Sequence, residues 1–309
     1  MEMFALFGTS YGLVLLVGWA VACALAYVTF RREKLSVAAW ALTAVLSLLL
    51  GALGSRCYYI LVHDMLGYGF YGTFFRAEPY YHAFCGGILG ALLAVVLSSL
   101  ITRASLHRVL EAIALPGLVM IAIARLGETL SDFGWGAITE NPLLMHFPLG
   151  VLDPMWNEWH FALFNLEALC AVVIAVVLLV NQKRLRDIAF PTALVWWAMT
   201  QVFCESFRVE TIKWGFVRVQ QVQCAIFAAA VLLLFTVRRR RELPRKKLIV
   251  SWVVFVACVG IVVFLEFAID KCPWPTWIDY VAMALVLGTM GWSVQRVLPM
   301  SRPERQKGE

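Results

Sequence analysis

The chain has 309 residues, of which 61% are hydrophobic and only 15% charged. A soluble domain carries about 25% charged and about 45–50% apolar residues; this composition, with its 12 Trp and 20 Phe, excludes a water-soluble protein and requires a polytopic membrane one. The formal net charge of +6, which on a soluble chain would suggest nucleic acid, reads here as loop charge that orients helices, and no nucleic-acid partner is expected.

A spanning helix needs about 20 largely apolar residues. Runs of that kind cover residues 9–30, 36–62, 84–101, 109–124, 159–180, 190–207, 216–237, 248–269 and 277–294, which predicts nine helices and an all-α fold. The fourth run is the shortest and leaves room for a re-entrant segment. No positively charged leader precedes the first run, so a cleavable signal peptide is not expected. The connectors RREK (31–34), TRASLHR (102–108), NQKRLRD (181–187) and RRRRELPRKK (238–247), with the tail beyond Trp292, hold 19 of the 26 Lys and Arg. They follow the first, third, fifth, seventh and ninth runs, so alternate loops are basic. The positive-inside rule then puts the N-terminus outside and the C-terminus in the cytoplasm. These loops also suit anionic lipid headgroups. The eight cysteines lie mostly inside apolar runs, without a CxxC pair or zinc-ligand spacing, so no metal or other cofactor is expected.

Seven basic residues fall elsewhere, and Arg56, Arg125 and Arg208 stand inside or at the edge of apolar runs. An arginine at mid-span costs about 2.5–3.5 kcal/mol by insertion scales, so it pairs with carboxylates or lines a polar cavity. Arg56 belongs to GSRCYYIL (54–61). Arg125 opens RLGETLSDF, in which Glu128 follows one helical turn later and Asp132 one turn after that. Glu205 and Arg208, three apart, close QVFCESFR. All three groups are expected at one membrane level, forming an outward-facing polar cavity suited to an anionic headgroup. In YYHAFCGGILG (80–90), Gly86 and Gly87 leave backbone N–H groups open to a ligand phosphate, and His82 and Cys85 have the spacing of a thiol and its base. Each of these features also has a plain structural reading, as an ion pair or as packing.

These segments together resemble the bacterial prolipoprotein diacylglyceryl transferases along roughly the first 240 residues. That family opens its first span with Tyr-Gly, matched by YGLVLLVGWA from Tyr11, and carries Gly-x-Arg in its second, matched around Arg56. Its third span opens on His-Gly-Gly, where CGGILG stands from Cys85. Its signature Arg-Ile-Gly-Asn-Phe-Ile-Asn-Gly-Glu corresponds to RLGETLSDF from Arg125, and its late Arg-x-x-x-Glu-x-x-Arg to Gln201, Glu205 and Arg208.

The resemblance implies a multi-pass protein of the bacterial inner membrane. Its activity would be transfer of diacylglyceryl from phosphatidylglycerol to the lipobox cysteine of a preprolipoprotein, with glycerol-1-phosphate leaving. It implies a catalytic set of Arg125, Glu205, Arg208, Cys85, Gln201 and Glu128, and a headgroup site of Tyr11, Arg56, Gly86, Gly87 and His82. Cations for the leaving phosphate and a base near the thiol are what the chemistry needs.

Departures keep a second reading open. Cys85 replaces the family's His, Glu128 and Ser131 its two Asn, Asp132 its Gly, and Gln201 its first late Arg. A relative that binds phospholipid or a membrane partner without transfer fits these changes. The family's His-Pro-Ser-Gln-Leu-Tyr-Glu segment finds no clear register in WNEWHFALFNLEAL (156–169). A transporter would show paired halves or broken helices, and no internal repeat is visible. The chain is thus expected to divide into a seven-helix transferase-like part, 1–241, and two further helices with a basic tail, 242–309. No chemistry is assigned to those helices, and Glu266 is expected to snorkel to the outer interface.

Overall fold

A computed structural model describes residues 9–62, 82–131, 134–209, 211–214 and 217–299. Among them are nine α-helices: α1 (Ser10–Arg32), α2 (Val37–Val62), α3 (Phe84–Thr102), α4 (Leu106–Gly127), α5 (Leu163–Val180), α6 (Ala189–Glu205), α7 (Val219–Arg239), α8 (Arg245–Lys271) and α9 (Thr276–Gln295). Eight are long and apolar enough to cross a membrane, and the protein is an all-α polytopic membrane protein, as its composition demands. The exception is α6, at 17 residues. Two antiparallel hairpins join helices: β1 (Gly150–Asp153) with β2 (Glu158–Phe161), and β3 (Lys213–Trp214) with β4 (Val217–Arg218).

The chain folds as two compact units, 1–135 and 136–309. In the first, Thr9 caps α1 by accepting the Gly12 N–H at 3.0 Å, and Arg31 and Arg32 close its last turn, where cations complement the helix dipole. The α2–α3 crossing is built on small residues. A Cβ on Gly54 would lie 2.6 Å from the Gly86 carbonyl oxygen, and a Cβ on Gly90 would collide with the Leu50 carbonyl. Between membrane helices, where lipid is as apolar as leucine, such backbone proximity is a main source of association. Interhelical hydrogen bonds add to it: Thr43 to Ser98 (2.5 Å), Trp40 Nε1 to the Cys23 carbonyl (2.8 Å), and Thr29 to the Ala112 carbonyl (2.6 Å). Phe30, Leu35, Ala39, Val95, Val109 and Ala112 form an apolar cluster at the end where the RREK and TRASLHR connectors lie.

The fourth span has no re-entrant break. Helix α4 runs through Pro116 to Gly127 and tightens into a 3₁₀ turn over Glu128–Leu130. It packs on α1 through glycines at both contacts. Gly18 faces Ile123 and Met120, and Gly127 faces Val14 and Tyr11.

In the second unit the fifth run splits. Its first residues pair as β2 with β1, Gly150 opposite Phe161 and Asp153 opposite Glu158, so α5 begins only at Leu163. Helix α6 lies among α5, α7 and α9 and is buried along most of its length, which explains how the shortest helix holds its place. Helix α9 belongs to this packing: a Cβ added at Gly291 would lie 3.2 Å from side-chain atoms of Trp196 and Met199, and Gln295 Nε2 donates to Thr192 Oγ1 at 3.1 Å.

Candidate functional site

The first unit carries one polar group at the C-terminal end of α4. Arg125 and Glu128 are both buried, with Arg125 Nη1 2.6 Å from Glu128 Oε1. The guanidinium also stacks 3.9 Å from the ring centroid of Phe84, the first residue of α3. A buried charge is expensive to desolvate, and a close counter-ion with an aromatic face offsets part of that cost. Tyr11 lies beside this turn, against Gly127.

Arg56, buried near the end of α2, marks the second group. The carbonyl of its neighbour Ser55 accepts the Ala83 N–H at 3.1 Å, and the Ser55 hydroxyl shares a hydrogen bond with His82 Nδ1 at 3.2 Å. Burial and the Arg56 charge lower the His82 pKa from its ordinary 6.5 to about 4, so the ring is neutral at physiological pH. His82 precedes α3, whereas Cys85 is buried in its first turn. Gly86 and Gly87 differ from the open phosphate cradle their sequence suggests. Gly86 is taken up by the approach to Gly54, and the Gly87 N–H already donates to the Ala83 carbonyl at 3.2 Å.

The second unit holds a denser network around the end of α6. Arg208 Nη2 lies 2.8 and 2.7 Å from the two oxygens of Glu167 on α5, and Arg208 Nε donates to Glu205 Oε2 at 3.2 Å. Gln201 Nε2 donates to the same Glu167. Glu167, Gln201 and Glu205 are all buried. Residues 136–137 join the segment after α6 to β2, because Ala137 N–H donates to the Phe207 carbonyl (3.1 Å) and Gly136 N–H to the Phe161 carbonyl (2.8 Å). His160 Nδ1 contacts the Gly136 carbonyl at 3.1 Å.

A further layer of charge supports this end of α6. Arg218 Nη1 donates to the carbonyls of Glu205 and Arg208, the latter at 3.1 Å. Its Nε lies 3.3 Å from Glu266 Oε2. Glu266 Oε1 accepts from Ser206 Oγ and, at 2.6 Å, from Gln221 Nε2. Glu266 therefore does not snorkel outward; Arg218, Ser206 and Gln221 hold it because they satisfy its charge inside the helix packing. Asp132 lies outside the described residues, and among those described no three His, Cys, Asp or Glu side chains converge as metal ligands.

The sequence thus marks Arg125, Glu128, Glu205 and Arg208, which pair locally, and Gln201, which reaches Glu167; it leaves Glu167 and Arg218 outside the candidate set and puts Glu266 at the outer interface. A signal for Glu167 and for Glu266 is nonetheless present. Glu167 and Glu266 each interrupt an otherwise apolar helix, and an ionisable residue in such a place is a functional candidate by default.

The described residues thus form a multi-pass helical membrane protein with arginine–carboxylate groups at the ends of α4 and α6. A family model described as prolipoprotein diacylglyceryl transferase matches residues 3–237, and the chain belongs to that family. Its relatives include proteins named phosphatidylglycerol–prolipoprotein diacylglyceryl transferase. One from Limosilactobacillus reuteri (strain DSM 20016) is 27% identical over 171 residues, covering 52% of this chain and 62% of its own length. One from Listeria innocua serovar 6a is 22% identical over 240 residues, covering 76% and 87%. One from Clostridium novyi (strain NT) is 22% identical over 238 residues, covering 73% and 90%. This chain therefore spans less than two thirds of the L. reuteri relative and most of the other two. Helices α8 and α9 lie beyond the family match.

Proposed function

We propose that this protein transfers diacylglyceryl from phosphatidylglycerol to the lipobox cysteine of a prolipoprotein in the bacterial inner membrane, with its N-terminus outside and its C-terminus in the cytoplasm. The observation that carries the reading is Arg208, half-buried and paired with both Glu167 and Glu205 in the part of the chain that matches the family. The reaction forms a bond between the cysteine sulfur and the glyceryl carbon that bore the phosphate, and breaks that carbon's bond to phosphate oxygen. Glycerol-1-phosphate leaves as a monoester dianion, and the thiol proton ends on it or on solvent, since a phosphate monoester has a second pKa of about 6.

The side chains divide the work by charge. Arg208 faces developing negative charge on the phosphate, where a fixed guanidinium in a water-poor site is worth far more than in water. Glu167 and Glu205 hold Arg208 in one orientation, which fixed donors need if they are to help the transition state. Gln201 orients Glu167. Arg125, Arg56 and Tyr11 form the headgroup surface of the first unit. Neutral His82 offers hydrogen bonding to the headgroup hydroxyls. Residues 1–241 form the transferase part of the chain and 242–309 its extension.

A purified full-length protein supplied with phosphatidylglycerol vesicles and a lipobox peptide tests this. The expected product is the thioether-linked diacylglyceryl peptide by mass, with equimolar glycerol phosphate. The same protein should restore lipoprotein modification in a strain depleted of its own transferase. Absence of both products from folded protein overturns the reading. The Arg125–Glu128 pair favours a second one, in which the site keeps a headgroup without transfer; phosphatidylglycerol binding with no thioether product would select it.

A further inference from the structure

The two helices beyond the family match place a carboxylate against the α6 network. Glu266 sits on α8, two residues before Ala268, whose carbonyl accepts the capping N–H of Cys272, and its oxygens receive Arg218, Ser206 and Gln221. Arg218 is the hinge of the arrangement. One side of its guanidinium meets Glu266, and Nη1 reaches the carbonyls of Glu205, the last residue of α6, and of Arg208, three residues beyond it. The last carbonyls of a helix lack intrahelical donors, and a cation there is favoured by both hydrogen bonding and the helix dipole. Ser206 adds a second link, since its hydroxyl also lies 3.1 Å from Met283 Sδ on α9. The side chains of Arg218 and Glu266 are only 17% and 20% exposed, so neither is a solvated surface charge.

We propose that Glu266 is a positioning residue for the site: it fixes Arg218 over the end of α6 and thereby sets the orientation of Arg208. The extension is then part of the site's frame, and this assignment rests on the transferase reading above. Removing the Glu266 charge frees Arg218 to leave the carbonyls, and Arg208 loses the backbone register that keeps it between Glu167 and Glu205. A displacement of about 1 Å in such a group costs up to about a hundredfold in rate.

The test uses the full-length protein with phosphatidylglycerol vesicles and a lipobox peptide. Glu266→Gln should lower kcat about tenfold or more while KM for lipid stays within about twofold, because Arg208 is present but misaimed. Glu266→Asp, which keeps the charge, should recover part of kcat. Arg218→Gln should reproduce the loss, and the double variant should be no worse than either single one, as coupled residues are not additive. Thermal midpoints in detergent show whether each variant is folded, and the two substitutions should be non-additive there too. Native kcat in folded Glu266→Gln, additive losses in the double variant, or no recovery in Glu266→Asp overturns the inference and leaves the transferase reading intact. An intact chain that transfers nothing overturns both.

Discussion

Arg208 meets two carboxylates, and that ratio decides what its neighbours' substitutions do. Glu167→Gln keeps a hydrogen-bond acceptor but removes the charge that meets Arg208 at both oxygens. Breaking a buried pair from one side leaves the other charge undercompensated, and the expected destabilisation is on the order of 3 kcal/mol, read as a lowered thermal midpoint. Glu205 still accepts from Arg208 Nε, so the variant should fold and lose transfer. Glu128→Gln acts in the opposite sense. It relieves Arg125 of its counter-ion at 2.6 Å, and phosphatidylglycerol should bind several-fold more tightly, as titration with short-chain lipid would show; weaker or unchanged binding would remove Arg125 from the headgroup site.

His82 supplies a pH dependence whose sign follows from its depressed pKa of about 4. Unfolded, the ring takes a proton near pH 6.5; folded, it refuses one until about pH 4. The unfolded state therefore binds more protons across that window, and stability rises with pH through it. The contribution is fully present above about pH 6.5 and is lost as pH falls towards 4. Replacing His82 with Gln should flatten the thermal midpoint between about pH 4 and 6.5 and leave it unchanged above about pH 7.

At the scale of elements, the α2–α3 crossing shows how glycine use separates packing from binding. Gly54 and Gly90 have no room for a methyl group against the facing backbone, and backbone cannot swing aside as a flexible side chain does. Gly90→Ala is expected to cost roughly 1–3 kcal/mol through overpacking. Gly87 differs, because a methyl carbon placed there would sit 3.8 Å from its nearest facing atoms, the Gly51 carbonyl oxygen and the Ser55 Cβ. Gly87→Ala should leave the thermal midpoint within about a degree or two. Comparable losses at both positions would contradict the crossing geometry.

Nine apolar runs in the chain correspond to nine helices among the described residues because length and apolarity are local properties that a membrane reads directly. The mismatches are equally physical. The run from 159 is apolar enough to be helical, yet its first residues are pinned in β2 by hydrogen-bonding partners on β1. The short fourth run lengthens to Leu106–Gly127 because propagating a helix adds one bond per residue once the nucleus exists. Within the site, Arg125–Glu128 and Glu205–Arg208 were legible from a three-residue spacing that places side chains on one helix face. The pairing of Glu167 with Arg208 was not, since the two stand 41 residues apart and no periodicity connects them.

For the whole molecule, the sequence alone determined that the chain lives in a membrane, where its apolar helices fall and which motifs tie it to its family. Those conclusions rest on transfer free energies and on spacing along one helix, both of which a linear sequence contains. Only the tertiary structure decided that Glu167 on a different helix is the principal partner of Arg208, that Gly86 serves a helix crossing, and that Glu266 faces Arg218 instead of the membrane surface. The physical reason is common to all three. A buried charge or a glycine takes its meaning from the group that folding sets against it, and that group comes from a distant part of the chain.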